Sequence, residues 1–151
     1  MLKVGDEAPD IKVATDSGEE FQLSDMRGKR VVLYFYPKAD TPGCTVEACE
    51  FRDDLKKFTK KDTAIVGVSP DKPTAQAKFK TKYDLPFTLL ADEDKAAAHA
   101  YGVWKEKNMY GKKVMGIERT TFVIGPDGKI EKIYNKVKAK GHAAAVLEAL
   151  E

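Results

Sequence analysis

Two short apolar segments, RVVLYFYP at residues 30–37 and TAIVGVSP at residues 63–70, most restrict the folds open to this chain. Each is rich in β-branched and aromatic residues and is apolar on both alternating faces, which is typical of a central strand covered by helices on both sides. Between them, TVEACEFRDDLKKFTKK carries apolar residues at three- and four-residue intervals and predicts an amphipathic helix. Together these segments predict a parallel, right-handed βαβ unit.

The rest of the chain continues to alternate between helix and strand patterns. A second helix is predicted from Pro73, a strand at FTLLAD, and a helix at DEDKAAAHAYG that ends at Gly102. Residues 103–116 are predicted as a loop in which Trp104 packs on the core. IERTTFVI and KIEKIYNKV follow as a β-hairpin, and GHAAAVLEALE as a final helix. This order predicts one α/β domain over residues 1–151 with a thioredoxin-like fold, in which helices flank a central mixed β-sheet and a β-hairpin precedes the C-terminal helix.

Composition narrows the classes of function. With 151 residues, of which 42% are hydrophobic, the chain can bury a core without disulfides or metals. Its 26 basic and 24 acidic residues are interleaved and leave a net charge of +2, which argues against a nucleic-acid surface. The first residues lack a signal-peptide core, and no apolar run reaches the roughly 18 residues that span a bilayer. We therefore expect a cytoplasmic protein, in which a close pair of cysteines indicates catalysis, redox chemistry or metal binding.

Both cysteines lie in TPGCTVEAC, residues 41–49. Thr41 is a favourable N-cap and Pro42 a favourable first helical residue, so Cys44 is predicted in the first turn of the helix. Unpaired backbone N–H groups and the positive end of the helix dipole favour a thiolate there, and the thiolate is the form that attacks electrophiles. Cys44 also falls on the apolar face of the helix. It is therefore the candidate nucleophile, with a buried structural cysteine as the alternative.

Cys49 follows Cys44 by five residues, which places it about 140° around the helix from Cys44. The two Cα atoms would be about 8 to 9 Å apart, beyond the ~7 Å that a disulfide tolerates without backbone movement. A static disulfide is therefore not expected. If the two cysteines react together, the first turns of the helix must unwind.

A metal site is the main alternative, because two cysteines and two histidines match a Cys2His2 ligand set. Finger-type sites need histidines about three to five residues apart, whereas His99 and His142 lie in different predicted helices. We therefore expect no zinc site and no cofactor, with His99 a polar position of the Ala-rich helix and His142 in the first turn of the last helix. A thioredoxin-fold copper carrier, using the two cysteines and a histidine, stays open as a second interpretation.

The residues around Cys44 resemble the active-site motif of a known family. YPKADTPGC contains the pattern Pro-x-x-x-Thr-x-x-Cys, as Pro37, Thr41 and Cys44, which is highly specific for peroxiredoxins. The spacing of Cys44 and Cys49 is similar to the peroxidatic and resolving pair of the bacterioferritin comigratory protein or PrxQ subfamily. VGDEAPDIKV near the start resembles the same subfamily, and Arg119 in GIERTTFVI matches its active-site arginine.

The resemblance implies a thioredoxin-like fold and an antioxidant thiol peroxidase that reduces hydrogen peroxide and organic hydroperoxides. Cys44 would form a sulfenic acid, Cys49 would condense with it to a disulfide, and a thioredoxin-type donor would reduce that disulfide. Subfamily members are often monomers and some dimerise, so we expect a monomer or a weak dimer. A plain thioredoxin-like reductase is the weaker enzymatic alternative, because such enzymes usually separate their cysteines by two residues rather than four.

The resemblance also gives roles to the remaining motif residues. Arg119 would stabilise charge on the reacting oxygens. Without the motif, we would interpret Arg119 as an exposed strand cation in an ordinary ion pair. The Thr41 hydroxyl would bond to the peroxide, with helix capping alone as the alternative. Pro37 would shield the sulfur from water. Glu47 would orient Arg119, unless it is a solvated acid of the first helical turn.

Overall fold

The computed structural model describes residues 1–150 of the chain. Within this range the backbone forms nine β-strands, four α-helices and a short 3-10 turn at Leu23–Met26. In chain order they are β1 (Lys12–Thr15), β2 (Glu20–Gln22), β3 (Arg30–Phe35), α1 (Pro42–Lys60), β4 (Thr63–Ser69), α2 (Pro73–Tyr83), β5 (Thr88–Ala91), α3 (Ala96–Ala100), β6 (Trp104–Met109), β7 (Lys112–Ile117), β8 (Thr120–Ile124), β9 (Ile130–Tyr134) and α4 (His142–Ala149).

Seven of these strands form one mixed sheet in the order β2-β1-β5-β4-β3-β8-β9. β3 pairs in parallel with β4, and β4 with β5, whereas the other neighbouring strands are antiparallel. The parallel β3-α1-β4 unit and the hairpin of β8 and β9 were both predicted from the sequence. The α/β, thioredoxin-like architecture predicted above is confirmed.

Strand β3 runs through the middle of the sheet and supplies both hydrophobic cores. Leu33 and Phe35 enter one buried cluster, whereas Tyr34 and Tyr36, the residue after the strand, enter the cluster on the opposite face, which also contains Phe51 of α1. All five side chains are at most 1% exposed. Burial on both faces explains why this segment is apolar without alternation. The second face, covered by α1, is the one that contains Cys44.

Residues 103–116, predicted as a loop, instead form most of a second, two-stranded sheet. β6 and β7 pair antiparallel, with Trp104 opposite Ile117. The turn between them has positive φ angles of 53° at Tyr110 and 78° at Gly111, the backbone that a tight two-residue hairpin turn requires. The loop prediction was wrong because lysine-rich strands with few buried positions carry no clear apolar alternation. Trp104 does pack against the first core cluster, as predicted.

Two other differences concern short elements. Strands β1 and β2 were not predicted, since they have four and three residues and only one of these, Val13, is buried. The helix predicted at DEDKAAAHAYG is confined to Ala96–Ala100, because Lys95 before it has a φ of 62°, outside helical geometry. In residues 1–150 we find no helix with the length and apolarity needed to cross a bilayer.

Candidate active site

Cys44 lies in the first turn of α1, as the sequence predicts. Thr41 occupies the N-cap position and Pro42 the first helical position, which suits proline because the first N–H has no helical partner. The Cys44 side chain points into the core and is 1% exposed. Both cysteines are free thiols. The helix start thus presents a buried sulfur beside backbone N–H groups that no cap side chain occupies.

Arg119 reaches this sulfur from the segment just before β8. Its Nη2 donates to Cys44 Sγ at 3.3 Å, and its Nη1 donates to Glu47 Oε1 at 2.7 Å. A guanidinium can serve both partners at once because its donors lie in a rigid fork. Gly43 makes room for it, since a Cβ at this position would lie 3.1 Å from Arg119 Nη2. The exposed-cation interpretation of Arg119 does not fit this geometry.

Glu47 is fully buried on the same helix, one turn after Cys44. Burial raises the pKa of Glu47 to about 7, although the charge and hydrogen bond of Arg119 act in the opposite direction. Burial also lowers the pKa of Arg119, but the Glu47 and Cys44 charges outweigh it and leave this pKa raised. The second carboxyl oxygen, Oε2, makes no hydrogen bond within residues 1–150. Glu47 is therefore not a solvated first-turn acid.

Thr41 and Pro37 belong to the loop that joins β3 to α1. The Thr41 hydroxyl donates to the Lys38 carbonyl oxygen at 2.8 Å and does not bond to the N–H groups of the helix. The Thr41 carbonyl accepts from Thr45 N at 2.8 Å, so its backbone still begins the helix. Pro37 follows the buried Tyr36 and is half-buried. Helix capping alone therefore stays open as the alternative role of Thr41, with its backbone rather than its side chain as the cap.

Cys49 lies apart from this cluster, further along α1. The helix is continuous from Pro42 to Lys60, and the Cys49 side chain is half-buried whereas that of Cys44 is fully buried. Helical geometry therefore separates the two Cα atoms by about 8 to 9 Å. The structure brings Cys44, Glu47 and Arg119 together and leaves Cys49 on another face of the helix.

The two histidines occupy different environments. His99 is exposed on α3, beside the Trp104 ring. His142 is buried in the first turn of α4, where its Nε2 lies 2.8 Å from Thr121 Oγ1. Burial, with a smaller effect of the Arg119 charge, lowers the pKa of His142 to about 4. In the part of the chain that the structure describes, no three His, Cys, Asp or Glu side chains form a group that could hold a metal ion.

Lys107 on β6 is a charged neighbour of the site that the sequence did not reveal. Its side chain runs across Gly116, with Nζ 3.8 Å from where a Cβ would stand. Burial and the Arg119 charge lower the pKa of Lys107, while the charges of Cys44 and Glu118 act to raise it. Only the β6-β7 hairpin, which was not predicted, brings this lysine near the site.

Known proteins are similar to this chain over nearly its whole length. A family model described as the AhpC/TSA family matches residues 4–133. Peroxiredoxin Bcp of Bacillus subtilis is 49% identical over 150 residues, which are 99% of this chain and 96% of the relative. Peroxiredoxin Bcp of Escherichia coli is 45% identical with the same coverage.

Solved structures give the same result. The bacterioferritin comigratory protein of Xanthomonas campestris superposes with a TM-score of 0.89 at 43% identity, over 93% of this chain and 89% of that one. A PrxQ mutant of Xylella fastidiosa superposes with a TM-score of 0.94 at 36% identity, over 99% and 96%. The copper-carrier alternative finds no support in these similarities. The chain belongs to the AhpC/TSA family and, within it, to the peroxiredoxins of the Bcp/PrxQ group.

Proposed function

We propose that Cys44 is the peroxidatic cysteine of this thiol peroxidase. The observation that carries the proposal is the bond from Arg119 Nη2 to Cys44 Sγ at 3.3 Å, at the first turn of α1. A guanidinium and a helix N-terminus both favour the thiolate. The same guanidinium can stabilise the oxygen that leaves when the peroxide bond breaks.

The first half-reaction oxidises the sulfur. The Cys44 thiolate attacks the nearer peroxide oxygen, the O–O bond breaks, and the sulfur becomes a sulfenic acid while the peroxide leaves as hydroxide or alkoxide and takes up a proton. Arg119 faces the reacting oxygens, and Glu47 holds Arg119 in place through its ion pair. The motif supports two further roles: the Thr41 hydroxyl bonds to the peroxide, and Pro37 shields the sulfur from water. Hydrogen peroxide and organic hydroperoxides are the proposed substrates, in keeping with the alkyl peroxide reduction activity described for the Xanthomonas campestris protein.

Cys49 is the proposed resolving cysteine. Its thiol condenses with the Cys44 sulfenic acid, which forms the disulfide and releases water. The first turns of α1 must unwind for this step, because the two cysteines lie on different faces of an intact helix. A thioredoxin-type dithiol then reduces the disulfide and is itself oxidised.

The working unit is proposed to be a monomeric, single-domain protein over residues 1–151. Cys44, Glu47 and Arg119 contact one another within a single copy of the chain, so this cluster needs no second copy to complete it. Dependence on a dithiol donor favours a cytoplasmic location, where such donors keep thiols reduced. Sedimentation of the reduced and oxidised protein would test the oligomeric state.

The test uses two matched variants, Cys49→Ser and Cys44→Ser. Each is reduced, freed of metal, mixed with one equivalent of hydrogen peroxide and quenched within seconds for intact mass. We expect Cys49→Ser to gain one oxygen, which a sulfenic-acid reagent traps at Cys44, and Cys44→Ser to stay unchanged. Absence of a prompt mass change in Cys49→Ser would overturn the assignment of Cys44.

A further inference from the structure

The C-terminal end of α2 holds both ends of the segment that contains the two cysteines. On one side, the Asp40 carboxylate accepts from Lys82 Nζ at 2.9 and 3.2 Å and from the Tyr83 hydroxyl at 2.8 Å. On the other side, Arg52 Nη1 donates to the Tyr83 carbonyl oxygen at 2.7 Å. We call these four residues the α2 clamp. Its Asp40 arm is the contact of Asp40 with Lys82 and Tyr83, and its second arm is the contact of Arg52 with Tyr83. Residues 41–51, with Cys44 and Cys49, lie between its two arms.

The Asp40 arm is the weaker of two connections that hold the loop before α1. The other is buried in part: Ala39 N donates to Asp71 Oδ2 at 2.8 Å, and the Ser69 hydroxyl donates to the same oxygen at 2.6 Å. Gln76 extends this network into the core through its bond to Ser69 at 2.9 Å. Ala39 is thereby tied to buried groups, which are costly to leave unpaired.

The Asp40 arm differs from the Ala39 connection because its side chains are exposed to solvent. The side chains of Asp40 and Lys82 are 42% and 58% exposed. Exposed ion pairs contribute little to stability, so this contact can open without disturbing the core. Asp40 also has a φ of 60°, a left-handed backbone that aspartate and asparagine tolerate better than most residues. The hydrogen bonds from Lys82 and Tyr83 lower the pKa of Asp40, so the carboxylate is charged at neutral pH.

Disulfide formation requires residues between the two arms to leave their helical positions. The bond from Thr45 N to the Thr41 carbonyl must break, as must the bond from Arg119 to Cys44. Gly141 N also donates to Glu50 Oε1 at 2.8 Å and ties the C-terminal part of the segment to the start of α4. A contact that holds Asp40, next to Thr41, therefore opposes unwinding from the side where Cys44 lies.

We propose that the Asp40 arm of the α2 clamp sets the rate at which α1 unwinds, and so divides the Cys44 sulfenic acid between the disulfide with Cys49 and further oxidation. Asp40, Lys82 and Tyr83 are positioning residues for the resolving step and do not touch the reacting atoms. A sulfenic acid that waits at Cys44 can react with a second peroxide, which becomes an alcohol or water as the sulfur becomes a sulfinic acid. A more stable Asp40 arm slows disulfide formation and so lengthens the time in which a second peroxide can react with the sulfenic acid. The inference rests on the proposed roles of Cys44 and Cys49.

The test separates the two steps by rapid quench, thiol blocking and intact mass. Asp40→Asn keeps a residue that accepts the positive φ and removes the charge, and Tyr83→Phe removes only the hydroxyl. We expect each to speed disulfide formation by about three- to tenfold, the scale of one ordinary hydrogen bond lost, and to lower the sulfinic-acid fraction at high peroxide. The rate of sulfenic-acid formation should be unchanged.

Lys80→Gln is the matched control, because Lys80 lies on the same helix as Lys82 and Tyr83 but its side chain pairs with Asp16, near β1. We expect it to leave both steps as in the unmodified protein. An unchanged disulfide rate in Asp40→Asn and Tyr83→Phe would overturn the clamp. The same acceleration in Lys80→Gln would also overturn it, because the effect would then be a general loosening of α2. Failure to form any sulfenic acid would instead contradict the proposed function.

Discussion

The starts of helices α1 and α3 each hold a buried carboxylic acid, but the two acids differ in the hydrogen bonds that their oxygens accept. At α3, Asp92 is 2% exposed, and its two oxygens accept from the backbone N–H groups of Ala97 at 3.0 Å and Ala98 at 2.9 Å. At α1, Glu47 shares one oxygen with Arg119 and keeps the other without a hydrogen-bond partner in residues 1–150. The helix N–H groups near Cys44 have no side-chain cap either.

This difference distinguishes a structural helix start at α3 from the proposed reactive one at α1. Asp92 satisfies the free N–H groups of a short helix, which stabilises the fold and leaves nothing for a ligand. The start of α1 has no side-chain cap, and Glu47 Oε2 has no hydrogen-bond partner in residues 1–150, which costs folding free energy because this oxygen is buried. Substitutions at the two sites should therefore separate activity from stability.

The largest effect on the α1 side is expected for Arg119→Ala. The second-order rate constant for reaction with hydrogen peroxide should fall by about 100- to 1000-fold, because a donor to both the sulfur and the departing oxygen is lost. Stopped-flow or competition kinetics would measure it, with circular dichroism to confirm the fold. Arg119→Lys is the matched variant and should recover only part of the rate, since lysine keeps the charge without the fork of donors. A rate within about threefold of normal in Arg119→Ala would indicate that Arg119 forms only an ordinary ion pair.

Substitution of Asp92 at the start of α3 should change the stability of the protein but not its rate of reaction with peroxide. Asp92→Asn replaces an acceptor oxygen by an amide that cannot accept from Ala97 N or Ala98 N, so one buried N–H is left unpaired. We expect the free energy of unfolding to fall by about 2 kcal/mol. Urea unfolding would measure it. The peroxide rate constant of the folded variant should be unchanged, and a large loss of rate would show that the two helix starts are coupled.

Glu47→Gln should reduce the peroxide rate about tenfold, the lower end of the effect of disturbing a positioned catalytic donor. Glutamine can still accept from Arg119 but carries no charge. Because the pKa of Glu47 is about 7, the rate profile of the unmodified protein should contain an inflection near pH 7 that the variant lacks. Rate constants measured from pH 5 to 9 would show this, and identical profiles would count against a titrating Glu47.

The same variant tests the linked stability. A carboxyl whose pKa is about 7 in the folded protein, above its ordinary 4.5, favours folding most when it is protonated. That contribution is complete below about pH 4.5 and is lost as the pH rises through about 7. Unfolding free energies of Glu47→Gln relative to the unmodified protein should therefore shift in favour of the variant between pH 5 and pH 8. A difference independent of pH would contradict the raised pKa.

The smallest effect is expected for Gly43→Ala, and here activity and stability should change in opposite directions. Alanine in a helix is favoured over glycine by about 0.5 to 1 kcal/mol, so unfolding should become harder. The new Cβ would stand 3.1 Å from Arg119 Nη2 and displace the guanidinium by a few tenths of an ångström. We expect the peroxide rate to fall about threefold. An unchanged rate would show that Arg119 adapts to the added methyl group.

Local patterns account for the parts of the fold that were predicted. The apolar runs at β3 and β4, the helical spacing of α1 and the Thr41-Pro42 start depend on residues that are neighbours in the sequence, so periodicity reveals them. The β6-β7 hairpin escaped prediction because its strands are largely exposed and lysine-rich. Its turn at Tyr110 and Gly111 was the one local signal available.

The sequence alone determined the chemistry at the start of α1: a cysteine in the first helical turn, a second cysteine on another face, and the motif that points to peroxide reduction. Only the tertiary structure decided which groups surround that cysteine. Arg119 and Cys44 are 75 positions apart along the chain and meet because β8 lies beside β3 in the sheet. The burial that perturbs Glu47 and the clamp on Asp40 arise in the same way. Sheet order, and the identity of the distant side chains that surround a residue, depend on contacts between residues far apart in the sequence, which local periodicity does not specify.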